Sequence, residues 1–306
     1  MIFRRRNRVG KAGLLIPYPS RNILRRSRPR SVRRVWRVPA LALHLLIAFP
    51  LSWWYYGRGR GVNPRALRVF RWWCGLALRI LGIRLRVAGG IPKNAAVMIA
   101  GNHVSYLDIL ALAALYPGQF VAKKEMQEWP LFGRLARRLG TFFIDRGDAR
   151  ASQRVLKDAA EVLRAGRILV IFPEGTTSDG NSVGEFFAAP FETAVAAASP
   201  VVPVTLRYED ILRPGHADRS CPFVGEDTLA GHLWRLTASA PLTLRVEFGP
   251  PLAPSLGRRE LARESHRTIV ETLRRMEEGA PVTYLDPTRH RLRDAWEAWR
   301  HRSQSR

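Results

Sequence analysis

Cysteine is nearly absent: Cys74 and Cys221 lie far apart and form no C-x-x-C pair, so neither a disulfide framework nor a cysteine-rich zinc site is available. A reducing compartment fits. Acidic residues are also scarce, 25 against 50 basic ones, and almost all of the basic residues are arginine, with lysine only at 11, 93, 123, 124 and 157. The formal net charge of +25 points to anionic surfaces as partners. The histidines show no metal-ligand spacing, and no helix-turn-helix, zinc-finger or RNA-binding signature accompanies the charge, so no metal site and no nucleic-acid partner are expected. No repeat of 20–50 residues is visible. What remains is a chain of 306 residues, 46% hydrophobic, long enough to fill a core.

The charge is unevenly placed. Thirteen basic and no acidic residues occupy positions 1–37, a basic arm. The 20 residues from Val38 to Gly57 then carry no Lys, Arg, Asp or Glu. As a helix they would measure about 30 Å, the thickness of a bilayer's hydrocarbon core. Pro50 interrupts the run and Trp53-Trp54-Tyr55-Tyr56 ends it, so either a span or a kinked, re-entrant insertion is allowed. A cleaved signal peptide is not, because the charged region is too long and no A-x-A-like site follows. Arg58, Arg60, Arg65, Arg68 and Arg71 come next, so both flanks fit the cytoplasmic face of a membrane. From Pro64 to Leu81, Leu67, Phe70, Trp73, Ala77 and Ile80 recur at helical spacing beside arginines. Such a stripe can cover the protein's own core, but Trp72 and Trp73 among arginines favour a membrane-surface helix.

Beyond residue 82, short apolar runs alternate with helical periodicity, the rhythm of an α/β domain over 83–280 with a mixed sheet flanked by helices. Strands are expected near 83–88, 95–100, 119–122, 141–145, 167–172, 201–206 and 242–248. Helices are expected at 105–116, 125–138, 148–165, 186–198 and 258–277. Residues 281–306 form a basic tail with Trp296 and Trp299 that either touches lipid again or is solvated.

One segment concentrates chemistry. The apolar run from Ala96 to Ala100 leads through Gly101 and Asn102 to His103, which stands at a strand's carboxyl edge, where ligands of open α/β sheets bind. Asp108 can turn back to the imidazole, fix its tautomer and stabilise its protonated form. Ser105-x-x-Asp108 also resembles a helix capping box, a purely structural role for the same carboxylate.

Four blocks in order carry a family resemblance: Asn102-His103-x-x-x-x-Asp108, Gly140-Thr141-Phe142-Phe143-Ile144-Asp145-Arg146, Phe172-Pro173-Glu174-Gly175-Thr176 and Val201-Val202-Pro203-Val204. Over residues 82–250 the chain resembles the 1-acylglycerol-3-phosphate acyltransferase (PlsC-like) family. The resemblance implies a glycerolipid acyltransferase-like fold and acyl transfer from acyl-CoA or acyl-carrier protein to the free hydroxyl of a lysolipid at a membrane surface, with no cofactor. The best expectation is 1-acyl-sn-glycerol-3-phosphate as acceptor, giving phosphatidate in phospholipid biosynthesis. His103 would be the general base, oriented by Asp108. Arg146 matches an arginine that contacts the acceptor's phosphate in the family, its alternative being an ion pair with Asp145 or Asp148. Glu174, Gly175 and Thr176 would grip the acceptor or stabilise the oxyanion. Lys123, Lys124, Asn102 and Thr177 are further candidates. Where phosphatidate-forming members usually continue Glu-Gly-Thr with Arg, this chain has Thr177 and then Ser178-Asp179-Gly180. That departure is similar to members acting on other lysolipids, including lyso-ornithine lipid.

Two other readings compete. Gly180-x-Ser182-x-Gly184 fits the nucleophile elbow of serine esterases, with His232 or His266 as base, but the elbow needs a strand immediately before its serine and here a polar loop intervenes. A non-enzymatic membrane-binding protein with idle blocks is the other.

Overall fold

The computed structural model describes residues 30–56, 64–91, 95–129, 132–145, 147–210 and 216–279. The basic arm up to residue 29, Arg58, Arg60, Arg146 and the tail with Trp296 and Trp299 lie outside the described residues. Among the described residues seven strands form one sheet: β1 (Ile83–Ala88), β2 (Val97–Gly101), β3 (Gln119–Lys123), β4 (Phe142–Ile144), β5 (Ile168–Ile171), β6 (Val201–Asp210) and β7 (Leu242–Phe248). Their order is β1-β7-β6-β2-β5-β3-β4. All neighbours run parallel except β6 and β7, which makes the sheet mixed.

Alternation along β2 sets the layers. Val97 and Ile99 face one core with α2 (Pro64–Leu81) and α3 (Leu107–Leu115), whereas Met98 and Ala100 face a second core under α5 (Ala149–Arg164) and α8 (Gly257–Glu277). The expected seven strands are all present. The expected 125–138 helix is instead a 3₁₀ turn, Lys124–Glu128, followed by α4 (Phe132–Arg138). Trp129 between them is extended, as a residue before proline prefers. At Gly133 a Cβ would come within 2.1 Å of the Gln127 carbonyl oxygen, so only glycine lets the two pieces close up. The expected 186–198 helix is reduced to a 3₁₀ turn, Ala189–Phe191, and α6 (Glu192–Ala196). A further helix, α7 (Leu229–Ala238), is capped by the Thr228 hydroxyl, which accepts from the Gly231 amide.

The membrane-surface reading of 64–81 is corrected by the packing. Phe70, Trp73, Cys74, Ala77, Leu78, Ile80 and Leu81 of α2 are buried in the core beside α3, and Leu67 is half-buried. Trp73 stacks on His44 with ring centroids 4.4 Å apart. The stripe is therefore the helix's own core face, whereas Trp72 and the arginines are exposed, with Arg71 donating to Ala114 O of α3.

The apolar run belongs to α1 (Arg30–Tyr56), which starts within the basic segment and contains Pro39 and Pro50. Among the described residues no helix is long and apolar enough to cross a membrane. The first turns of α1 are fastened to the C-terminus of α7. Arg33 donates to Ala238 O, and the buried Arg37 donates to the carbonyls of Leu236, Thr237 and Ser239. Cations there satisfy orphan carbonyls and oppose the helix dipole.

Candidate active site

The carboxyl end of β2 is pinned before the histidine is reached. Asn102, fully buried, spans to β6: its Nδ2 donates to Leu206 O at 2.9 Å and its Oδ1 accepts from the Leu206 amide at 2.8 Å. Asn102 thus positions the strand end, and the next residue, His103, is delivered at the sheet edge. Its ring lies on Phe172 from the neighbouring strand's end, with centroids 4.0 Å apart and planes 13° off parallel.

His103 Nδ1 is 2.9 Å from Asp108 Oδ2. The histidine side chain is 16% exposed and the aspartate 0%, so the pair joins a sealed carboxylate to a ring that reaches solvent. Asp108 Oδ2 also accepts the amides of Val104 and Ser105, at 2.7 and 2.9 Å, while its Oδ1 accepts the Tyr208 hydroxyl at 2.6 Å. The carboxylate thus also holds the turn before α3, through the Ser105 amide, although the Ser105 side chain makes no cap bond of its own. Burial first, then the Asp108 charge, pushes the Tyr208 phenol well above its ordinary value, so it stays a proton donor. With Nδ1 donating to Asp108, Nε2 is the nitrogen left to accept a proton.

Glu174 does not face open space. One oxygen accepts the His103 amide at 2.7 Å and the other the Gly184 amide at 2.8 Å. Its burial pushes the carboxyl up from the ordinary value against these amide donors. Gly175, at φ +66°, donates its amide to Phe172 O in the turn after β5. Thr176 is exposed. The Thr177 hydroxyl donates to Phe223 O, and the Ser178 amide donates to His103 O at 2.8 Å. The loop after β5 therefore holds the histidine backbone from both sides.

Lys123 ends β3 and Lys124 follows it at the same sheet edge, because β2, β3, β4 and β5 are parallel. Lys124 Nζ pairs with Asp145 Oδ2 at 2.9 Å, both partly exposed, which raises the lysine and lowers the carboxyl. Asp148 caps α5 through the Ala151 amide. Arg146, between these acids in sequence, lies outside the described residues.

Ser182 sits in the loop beyond Ile171, where β5 ends, so no strand leads into it. His232 Nδ1 bonds Tyr106 OH and His266 Nε2 meets Val183 O. Among the described residues no group of His, Cys, Asp or Glu is gathered to hold a metal ion. Tyr208 is a site residue that the sequence reading missed, and Phe172, quoted in a block, was given no role there. Tyr208 follows Leu206 at the two-residue period of a strand, which is the signal that would have placed it on the same face.

The fold and the pair together place a carboxylate-held imidazole at the carboxyl edge of an α/β sheet. A family model described as Acyltransferase matches residues 83–207. The chain is 38% identical over 212 residues to the lyso-ornithine lipid O-acyltransferase of Pseudomonas aeruginosa, covering 69% of this chain and 80% of that protein. It is 37% identical over 178 residues to the 1-acyl-sn-glycerol-3-phosphate acyltransferase of Neisseria gonorrhoeae, covering 56% of this chain and 67% of that one. The crystal structure of the 1-acyl-sn-glycerophosphate acyltransferase PlsC from Thermotoga maritima shares the fold, with TM-score 0.59 and 19% identity over 82% of this chain and 97% of that chain. This chain belongs to the PlsC-like family of lysolipid acyltransferases.

Proposed function

We propose that the chain moves a fatty acyl group from the thioester of acyl-CoA or acyl-carrier protein to the free hydroxyl of a lysolipid, at the cytoplasmic face of a membrane. The observation that carries this reading is the 2.9 Å bond between a part-exposed imidazole and a sealed carboxylate. His103 Nε2 takes the proton of the acceptor hydroxyl as its oxygen attacks the thioester carbonyl, a role that contributes about 10²–10⁴-fold. Asp108 holds the tautomer and steadies the imidazolium. The carbon–sulfur bond then breaks, and the leaving thiolate takes the proton back from Nε2. No enzyme nucleophile is required, because holding both substrates in line supplies much of the acceleration. Both lysophosphatidate and lyso-ornithine lipid, the acceptors named for the relatives, present such a hydroxyl.

The outer face of α1 supports work at a lipid surface. Val35, Leu43 and Leu46 are 75%, 59% and 72% exposed, and Val32, Trp36 and Ile47 continue the same stripe. An exposed apolar stripe on a basic protein suits an anionic membrane surface.

The test is thiol release from either donor in the presence of lysolipid. His103→Ala and Asp108→Asn abolish it while liposome binding persists. Turnover surviving in either variant, or a fluorophosphonate probe labelling Ser182 with activity that outlives His103→Ala, would overturn the assignment in favour of another chemistry.

A further inference from the structure

A cavity of about 480 Å³ lies between the loop after β5 and the segment joining β6 to α7. Asp179 and Asn181 form one wall, one step along the chain from Ser178, whose amide donates to the His103 carbonyl at 2.8 Å. Asp218, Arg219 and Pro222 form the other. Phe223, the next residue, donates its amide to Val104 O at 3.0 Å, and its carbonyl takes the Thr177 hydroxyl. Both walls are thus fastened to the backbone of the His103-Val104 pair.

Its charges are not all neutralised from within. Asp227 and Arg235 also line the cavity and close on each other through two parallel bonds, at 3.1 and 2.9 Å. Among the described residues Asp179 accepts from the amide and side chain of Asn181, which hold it below the ordinary carboxylate range. Asp218 uses Oδ1 for Ser220 and Cys221 and leaves Oδ2 with acceptor capacity. Arg219 is exposed on the same wall. A phosphomonoester would meet Asp179 and Asp218 as like charges, and the side chain at position 177, a hydroxyl committed to Phe223 O, adds no cation. A ligand carrying one ammonium and one carboxylate would find an opposite charge for each.

We propose that this cavity is the acceptor's head-group site and takes a zwitterionic amino-acid head group, its ammonium against Asp179 and Asp218 and its carboxylate against Arg219. The inference rests on the lysolipid reading of the His103 site and narrows it to one class of acceptor. Asp179 and Arg219 are the positions to change, because Asp218 also supports its own turn.

Full-length protein is assayed with lyso-ornithine lipid, with the same lipid acetylated on its ammonium, and with lysophosphatidate. The zwitterionic lipid is expected to give the highest kcat/KM, with a loss of about tenfold on acetylation, the size of one charge-assisted hydrogen bond. Asp179→Asn should impose a similar loss on the zwitterionic lipid and none on the acetylated one, and Arg219→Ala should lower kcat/KM for both. Equilibrium binding of the three lipids to His103→Ala, which cannot turn over, should rank them in the same order. Preference for lysophosphatidate, or a ranking that Asp179→Asn leaves unchanged, overturns the head-group site. Absence of turnover by the wild type with every acceptor, alongside the expected binding order, overturns instead the transfer reading and leaves the site standing.

Discussion

Tyr208 reaches Asp108 from the neighbouring strand, its hydroxyl donating to Oδ1 at 2.6 Å across 100 positions of sequence. Oδ2 has three donors, including His103, whereas Oδ1 has this phenol. The carboxylate plane is therefore set from two directions: by the backbone after β2, and by β6.

Tyr208→Phe keeps the ring that fills the core and removes only the donor, leaving a buried oxygen short of a partner at a cost of about 1–3 kcal/mol. The expected result is a fall in kcat with KM little changed, since the hydroxyl never touches substrate, together with a lower denaturation midpoint. A variant that unfolds earlier but keeps kcat would show that Tyr208 supports the core and not the orientation of Asp108.

Glu174 gives the site a pH signature of definite sign. Burial raises its folded value above 4.5, so the folded chain keeps this proton to higher pH than the unfolded chain does. The contribution is therefore full below that ordinary value and is lost as pH rises through the raised one. Denaturant unfolding from about pH 4 to about pH 7 should show the wild type losing stability relative to Glu174→Gln across that window, then a constant difference. A difference that is flat throughout refutes the raised value.

Much of this was legible because strands buried on both faces read as continuous apolar runs, and because His103, Asp108 and the four blocks are local in sequence. What escaped depends on burial that the sequence does not advertise. β6 was expected near 201–206, and the charged Arg207 and Glu209 beyond it resemble a solvent face. In the fold both are covered: Arg245 pairs with Glu209 at 2.9 Å, and Arg207 pairs with Glu277 of α8 at 2.8 Å. That hidden extension is what carries Tyr208 to the site. α7 was missed because it is short and has Gly231 in its first turn, where its N-cap and not its periodicity marks it. The α2 stripe was assigned to lipid because a core face and a membrane face present the same spacing, and only the neighbour across it decides. Glu174 was placed among acceptor contacts through its backbone, and the motif gave no sign that its side chain turns inward to two amides.

The joint between α1 and α7 can be tested from both of its sides. Arg37 is buried among three carbonyls, and burial, with Arg33 nearby, brings its guanidinium down to about 10. Arg37→Leu should cost about 3 kcal/mol, the order expected when charged hydrogen bonds to buried carbonyls are lost. Gly82, at φ +79°, faces the same group, and a Cβ there would lie 2.2 Å from Arg37 Nη2. Gly82→Ala should destabilise the wild type severely and the Arg37→Leu variant much less, leaving only the cost of the left-handed backbone. Equal effects in the two backgrounds would mean that the guanidinium does not occupy this space.

The outer stripe of α1 carries the last prediction. The arginines nearest it, Arg33 and Arg37, are turned toward α7, so what α1 offers outward around Leu43 and Leu46 is apolar. Burying one such leucine is worth about 2 kcal/mol, so replacing Leu43 and Leu46 together by Asp should weaken partition onto anionic liposomes by about a hundredfold or more. Neither side chain belongs to the core, so the unfolding midpoint should stay near that of the wild type, as should thiol release with a short-chain lysolipid that is monomeric in solution. Activity on long-chain acceptors in bilayers should fall with the binding. Flotation with liposomes equal to that of the wild type would show that the stripe does not enter lipid.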